Sequence, residues 1–282
     1  MKIALSIVLQ MVCCCLLAQK MAISNREFSL RLGGRETHME KFPDNENLDF
    51  LNYFYTDPEY LDYALINMGF RFDFLSKMSA DLKLIVMSDL IPDNYDISAY
   101  YHFNPTFSMG IGSMLCRAYV SYFEQFHVLS MPDYYLVDDN IQQFKAYDLG
   151  FFLTPGVNLS PNGWFRATAR FDLGISTFLT EESTFHHKKK YGNERIIYHY
   201  STRTSYQPYV RPSVELRLQA LTTRRAAAGL VLSSNFYYAN RSMDYMRSVQ
   251  SWTSYEAVNK VIRTPKHTYT RFEADIGLYV KW

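Results

Sequence analysis

The sequence predicts an all-β protein, an antiparallel up-and-down β-barrel of ten strands, with eight as the alternative count. Three observations predict it. Apolar and polar residues alternate with period two along most of the chain, which is the strand period and not the helical one. The alternating segments run about 9–15 residues, the length a tilted strand needs to cross a bilayer. The connections between them are short on one side and long on the other, the asymmetry of a transmembrane barrel.

The elements follow in order. Met1-Lys2 gives a basic start, and an apolar run from Ile3 to Leu17 ends at Ala18-Gln19. That is the layout of a secretory signal peptide cut after Ala18, and it is shorter than a membrane-spanning helix. Cys13, Cys14 and Cys15 fall inside this leader without the small residue and upstream Leu that lipidation requires. The remaining chain, 19–282, then reads as one domain. Its segments fall near 26–36, 64–75, 80–89, 95–103, 107–121, 145–159, 164–178, 205–219, 227–239 and 269–282. Short turns sit near 76–79, 104–106, 160–163 and 220–226. Long loops sit near 37–63, 122–144, 179–204 and 240–268, with one short exception near 91–94. An even strand number brings both termini to the short-turn side. The first two segments are the weakest, since Arg26–Arg35 also reads as a periplasmic arm. Pro155, Pro208 and Pro212 lie inside segments, where each removes a ladder donor and marks a bulge or a strand end.

Composition narrows the function classes. Lys plus Arg number 29 and Asp plus Glu 28. Losing Lys2 with the leader leaves 28 against 28, so the remaining chain is neutral and lacks the basic excess of a nucleic-acid binder. Only Cys116 lies beyond the leader, which excludes an intrachain disulfide framework and a thiolate metal cluster. No cofactor and no metal site is expected. Strand parity sends Cys116 to the lumen, and a bulge after Gly112 would send it outward.

The final segment carries Phe272, Ala274, Ile276, Leu278, Val280 and Trp282 on one face, with Arg271, Glu273, Asp275, Gly277, Tyr279 and Lys281 on the other. The leader, the alternating strands and the terminal Trp282 together resemble the outer-membrane β-barrel proteins of Gram-negative bacteria. The stretch 95–105 also looks like a strand-and-turn hairpin of the small members. The resemblance is one of architecture. It implies an address in the outer membrane, lipid and lipopolysaccharide as surroundings, and Phe272, Ile276, Leu278, Val280 and Trp282 as a signal read by the barrel-assembly machinery. The alternation has a second solution, a soluble barrel of the lipocalin kind with the apolar row inside. Tyr100, Tyr101, Phe103, Tyr119, Tyr122, Phe123, Tyr237 and Tyr238 near segment ends favour interfacial girdles and hence the membrane solution.

With the apolar row on lipid, the lumen receives Arg71, Asp73, Lys83, Asp96, His102, Asp148, Arg166, Arg170, Asp172, Arg211, Glu215, Arg217, Arg271, Glu273, Asp275 and Lys281. Buried charges have to be paired. One reading is therefore an internal ion-pair network that fills a structural or surface-interaction barrel. The other is a narrow, porin-like conduit with a charged constriction for small solutes. An eight-stranded barrel is just filled by side chains and open aqueous channels are typical of 16–18 strands, which favours filling.

A barrel-embedded lipid or peptide hydrolase is the third reading, and the chain is not expected to be an enzyme. The sequence has no Gly-x-Ser-x-Gly elbow and no His-Glu-x-x-His. His186-His187 beside Lys188-Lys189-Lys190 reads as a solvated loop. The loop charges are uneven: 38–63 carries minus six and 239–268 carries plus three. Since the last strand of a closed barrel pairs with the first, these two loops are expected to meet, with Arg263 and Lys266 on the basic side. Basic loop residues equally suit lipopolysaccharide phosphates. The extracellular ligand or partner, if any, has no signature.

Overall fold

The structure, a computed structural model, describes residues 24–39, 63–87, 92–122, 134–136, 143–159, 164–180, 183–191, 195–203, 206–242, 244–251, 257–263 and 266–282. Ten strands close a barrel: β1 (Ser24–Met39), β2 (Tyr63–Leu75), β3 (Met78–Met87), β4 (Pro92–His102), β5 (Phe107–Tyr122), β7 (Gln143–Leu159), β8 (Phe165–Thr180), β11 (Gln207–Thr222), β12 (Ala227–Arg241) and β15 (His267–Lys281). Their order around the wall is β1-β15-β12-β11-β8-β7-β5-β4-β3-β2, every neighbour antiparallel. The ten-strand count holds, and β1 belongs to the barrel rather than to an arm. It is paired on both sides, from Glu27↔Lys281 to Met39↔Tyr269 with β15 and from Glu27↔Arg71 to Arg35↔Tyr63 with β2.

The wall is built inside out relative to a water-soluble protein. Along β15 and at the following Trp282, Phe272, Ile276, Leu278, Val280 and Trp282 are exposed on the outer surface, while Arg271 and Glu273, the neighbours of Phe272, are 1% and 4% exposed. The same inversion runs through β1, where Leu32 is 63% exposed and Arg31 2%. This arrangement removes the lipocalin solution, which needs the apolar row inside. The chain ends are locked at the β1–β15 seam, where the backbones of Arg26 and Trp282 exchange two hydrogen bonds of 2.8 Å.

The strand prolines neither bulge nor end the strands at two of three positions. Across β7–β8 the pairing passes from Leu153↔Leu173 to Gly156↔Arg170 without a change of register, skipping Pro155. Across β11–β12 it passes from Val210↔Tyr238 to Ser213↔Asn235, skipping Pro212. Each proline stays paired in register on its other side, so the missing donor costs a one-sided gap. Pro208 does lie at a strand end, next to Gln207. Register shifts occur elsewhere, including Arg117/Tyr119 in β5 and Gln219/Leu221 in β11.

Several segments read as loops are strands. β6 (Tyr134–Leu136), β9 (Ser183–Lys189), β10 (Arg195–Arg203), β13 (Asp244–Ser251) and β14 (Ala257–Arg263) form a second sheet of order β14-β13-β10-β9-β6. All five belong to connections at the barrel end opposite the chain termini. Leader residues 1–18 and most of 37–63 lie outside the described residues, as does the acidic half of the expected loop pairing.

Candidate functional site: the barrel lumen

The site is the barrel interior, and strand parity builds it. Inward positions of neighbouring strands stand side by side, so charges separated by tens of residues meet. Three levels of contact cross the lumen between the termini and the opposite rim.

At the level nearest the termini, Arg71 on β2 donates to both Asp81 oxygens on β3, Nε at 2.6 Å and an Nη at 2.6 Å. Arg170, four strands away on β8, reaches the same carboxylate at 2.9 Å and lays its guanidinium 4.2 Å from the Tyr100 ring centre. Arg217 on β11 binds Glu215 at 2.8 Å and also pairs with Glu27 on β1. Glu215 further faces Arg31 at 3.5 Å and Arg71 at 3.7 Å. Planar guanidinium groups suit such shared, forked carboxylate contacts.

At the middle level, Arg211 on β11 donates to Asp172 at 2.7 Å and across the lumen to Asp96 on β4 at 2.8 Å. Asp275 accepts from Ser233 at 2.6 Å and from Asn67 at 2.8 Å. At the upper level, Arg35 holds Glu273 at 2.7 Å and pairs with Asp93. Arg271 lies 3.1 Å from Glu273 and meets the Cys116 sulfur on β5, five strands away and so diametrically opposite. Tyr237 stacks on Tyr209 at 4.8 Å beneath this group.

These contacts leave little space. Arg271, Tyr237, Met114, Thr154, Asp148 and Cys116 are fully enclosed. A cavity at the first level, lined by Arg31, Arg71, Lys83, Glu215 and their neighbours, has about 10 Å³, which is room for one water.

The structure brings together Arg71, Asp96, Arg170, Asp172, Arg211, Glu215, Arg217, Arg271, Glu273 and Asp275 as lumen residues in ion pairs or hydrogen bonds. Lys83 lines the small cavity, and Asp148 is fully buried beside the upper group. Arg166 stands at the short-turn rim as the register partner of Arg217. Asp73 and His102 lie at that rim too, Asp73 accepting from Asn25 at 2.9 Å and His102 meeting the Ser79 hydroxyl at 2.8 Å.

Tyr100 and Tyr237, expected in the girdles, turn into the lumen, 4% and 0% exposed. Tyr101, Phe103 and Tyr238 do face outward. Tyr119, Tyr122 and Phe123 fall where side chains lie outside the described residues. Cys116 faces the lumen, because no register shift separates it from Gly112. Sequence reading missed Glu27, Arg31, Arg35, Asp81 and Asp93. The signal for Asp81 was present, two residues from Lys83 on the same face.

No protein-family model and no curated protein sequence matches the chain. Solved outer-membrane barrels do. The chain is similar to the outer membrane protease OmpT from Escherichia coli, at 9% identity and TM-score 0.45, covering 94% of this chain and 100% of that one. It is also similar to the outer membrane protein OprG from Pseudomonas aeruginosa, at 8% identity and TM-score 0.34, covering 92% and 95%. A major outer membrane protein from Thermus thermophilus matches at 7% identity and TM-score 0.34, covering 92% and 100%.

Among the described residues no group of three His, Cys, Asp or Glu side chains is arranged to hold a metal ion.

Proposed function

We propose that this chain is an outer-membrane β-barrel of a Gram-negative bacterium with a closed lumen, acting as a structural or surface-interaction protein and not as a conduit. The carrying observation is the set of cross-lumen pairs at three levels, Arg170–Asp81, Arg211–Asp96 and Arg271–Cys116. Each joins walls four or five strands apart, so a solute passing through would have to break all three. Breaking either of the two buried ion pairs, Arg170–Asp81 or Arg211–Asp96, costs about 3–5 kcal/mol when one charge is left unpaired.

Support for the membrane comes from the outer belt. A continuous surface bearing Leu30, Leu32, Phe171, Leu173, Ile276 and Leu278 at 42–63% exposure exceeds what water-soluble monomers leave uncovered. Lipid satisfies it. The outer-membrane address places the short turns in the periplasm and the second sheet outside the cell.

Flux into liposomes tests the reading. Refolded protein, folded as judged by heat-modifiable migration and inserted as judged by co-flotation with the liposomes, is expected to leave them impermeable to small sugars and amino acids. Swelling at a rate proportional to inserted protein would favour the narrow, porin-like alternative instead.

A further inference from the structure

The cavity at the first level of the lumen is lined by an unequal set of charges. Its walls carry the guanidinium groups of Arg31, Arg71 and Arg217 and the ammonium of Lys83. Against these four stand the carboxylates of Glu27, Asp81 and Glu215. Arginines occupy all three: Asp81 is held by Arg71 and Arg170, Glu27 by Arg217, and Glu215 by Arg217 and, at 3.5 Å, by Arg31. Two more charges touch this group, Arg170 on Asp81 and Asp275 at 3.4 Å from Arg31, and they cancel. One positive charge is left over.

The contacts place that charge at Lys83. Among the described residues no hydrogen bond or ion pair reaches its ammonium. Asp96, its ladder partner, hydrogen-bonds instead to Arg211 at 2.8 Å. Arg31, 2% exposed, has a further unmatched donor, since its Nε is buried without an acceptor. Ser29 and Gly69 complete this wall of the cavity. A Cβ added at Gly69 would come within 2.5 Å of the Ser29 hydroxyl and 3.0 Å of an Arg31 Nη. Lys and Arg side chains only donate, so neither can satisfy the other. A buried cation without a counter-charge is costly, and a water molecule would supply an acceptor but no charge.

We infer that this cavity is a binding site for a single chloride ion, which accepts hydrogen bonds from donors on Lys83, Arg31 and Ser29 and neutralises the lining. The volume of about 10 Å³ takes one water-sized occupant. It excludes phosphate, sulfate and carboxylate ligands, whereas the side-chain ends that form the walls can give by the small difference in radius between water and chloride. The site goes beyond the closed-lumen reading and does not depend on it, because flux reports whether solutes pass and anion binding is read from stability.

The test is urea unfolding of the full barrel, refolded in nonionic detergent with either sodium chloride or sodium gluconate. Ionic strength is held constant, so general screening is the same in both. An anion that binds only the folded state stabilises it in a saturable way. At a chloride concentration about ten times that giving half the effect, the unfolding equilibrium constant should be about tenfold lower than in gluconate. Lys83→Met should abolish this dependence and be no less stable than wild type in gluconate, since it removes the unmatched charge. Gly69→Ala keeps all four cations but fills the cavity, and it too should abolish the dependence, which covers the case in which Lys83→Met fails to fold. Equal midpoints for wild type in the two salts would overturn the proposal and mean that Lys83 turns to Asp96 or holds only water. A chloride effect of undiminished size in either variant would overturn it as well, because the ion would then bind elsewhere.

Discussion

Asp81→Asn is the most informative single change in the lumen. Asp81 is 4% exposed and receives both forks of Arg71 at 2.6 Å and one Nη of Arg170 at 2.9 Å. The substitution keeps the volume and one acceptor oxygen but removes the carboxylate to which both guanidinium groups are hydrogen-bonded. Arg71 retains a distant Glu215 at 3.7 Å, and Arg170 keeps the Tyr100 ring. Leaving buried cations unmatched costs about 3–5 kcal/mol, so the equilibrium constant for unfolding should rise roughly 10²–10⁴-fold. The melting temperature should fall by roughly 10 °C, given about 2–4 °C per kcal/mol for a chain of this size. Urea titration of the refolded barrel, followed by tryptophan fluorescence and by heat-modifiable migration, reads the change. Replacing the pair by Arg71→Met/Asp81→Leu should recover part of the loss, because a buried ion pair and an apolar pair of similar volume are close in stability. A loss under about 1 kcal/mol for Asp81→Asn would refute the reasoning, since that is the scale of a solvated surface pair.

Three further outcomes follow from the same geometry. Ile276→Arg on the outer belt, 54% exposed, should cost about 2–4 kcal/mol in a bilayer, whereas an exposed substitution on a water-soluble wall would stay within about 0.5 kcal/mol; urea unfolding from lipid vesicles separates the two. Gly277→Ala places a Cβ 2.0 Å from the Leu30 carbonyl oxygen and 2.5 Å from the Arg31 Cα, both backbone atoms of the seam partner, so it should slow or prevent barrel closure, read as a reduced folded fraction on gels. Cys116, fully buried against Arg271, should resist maleimide in the folded barrel and react once urea unfolds it; rapid labelling of folded protein would mean that the lumen admits solutes to the upper level.

The sequence predicted much of the barrel because one signal repeats in most of the wall strands. Period-two alternation in β15, from Phe272 to Trp282, states both its face and its phase, and the lumen parity of Arg271, Glu273 and Asp275 followed directly. β1 was harder to read. Gly33 and Gly34 interrupt its alternation and Glu36 and His38 sit on its outer face near the rim, so the strand looked detachable and its lumen residues Glu27, Arg31 and Arg35 were passed over. Tyr100 and Tyr237 were misplaced because a tyrosine near a strand end suits either an interfacial girdle or a lumen plug, and only phase within the strand decides. The second sheet was illegible for a different reason. β9 carries polar and basic residues on both faces, the alternating row of β10 is short (Ile196, Tyr198 and Tyr200), and pairing with β13 depends on segments far apart in sequence. The pairing of lumen charges was likewise hidden, since parity says which side chains enter the barrel but not which strand stands opposite.

The central claim is that the lumen is closed. Planar-bilayer recording on the refolded wild-type protein, with insertion confirmed in the same preparation, tests it most directly. The account predicts no discrete conductance steps across the ordinary range of salt and voltage, and reproducible steps that persist at low voltage would contradict it.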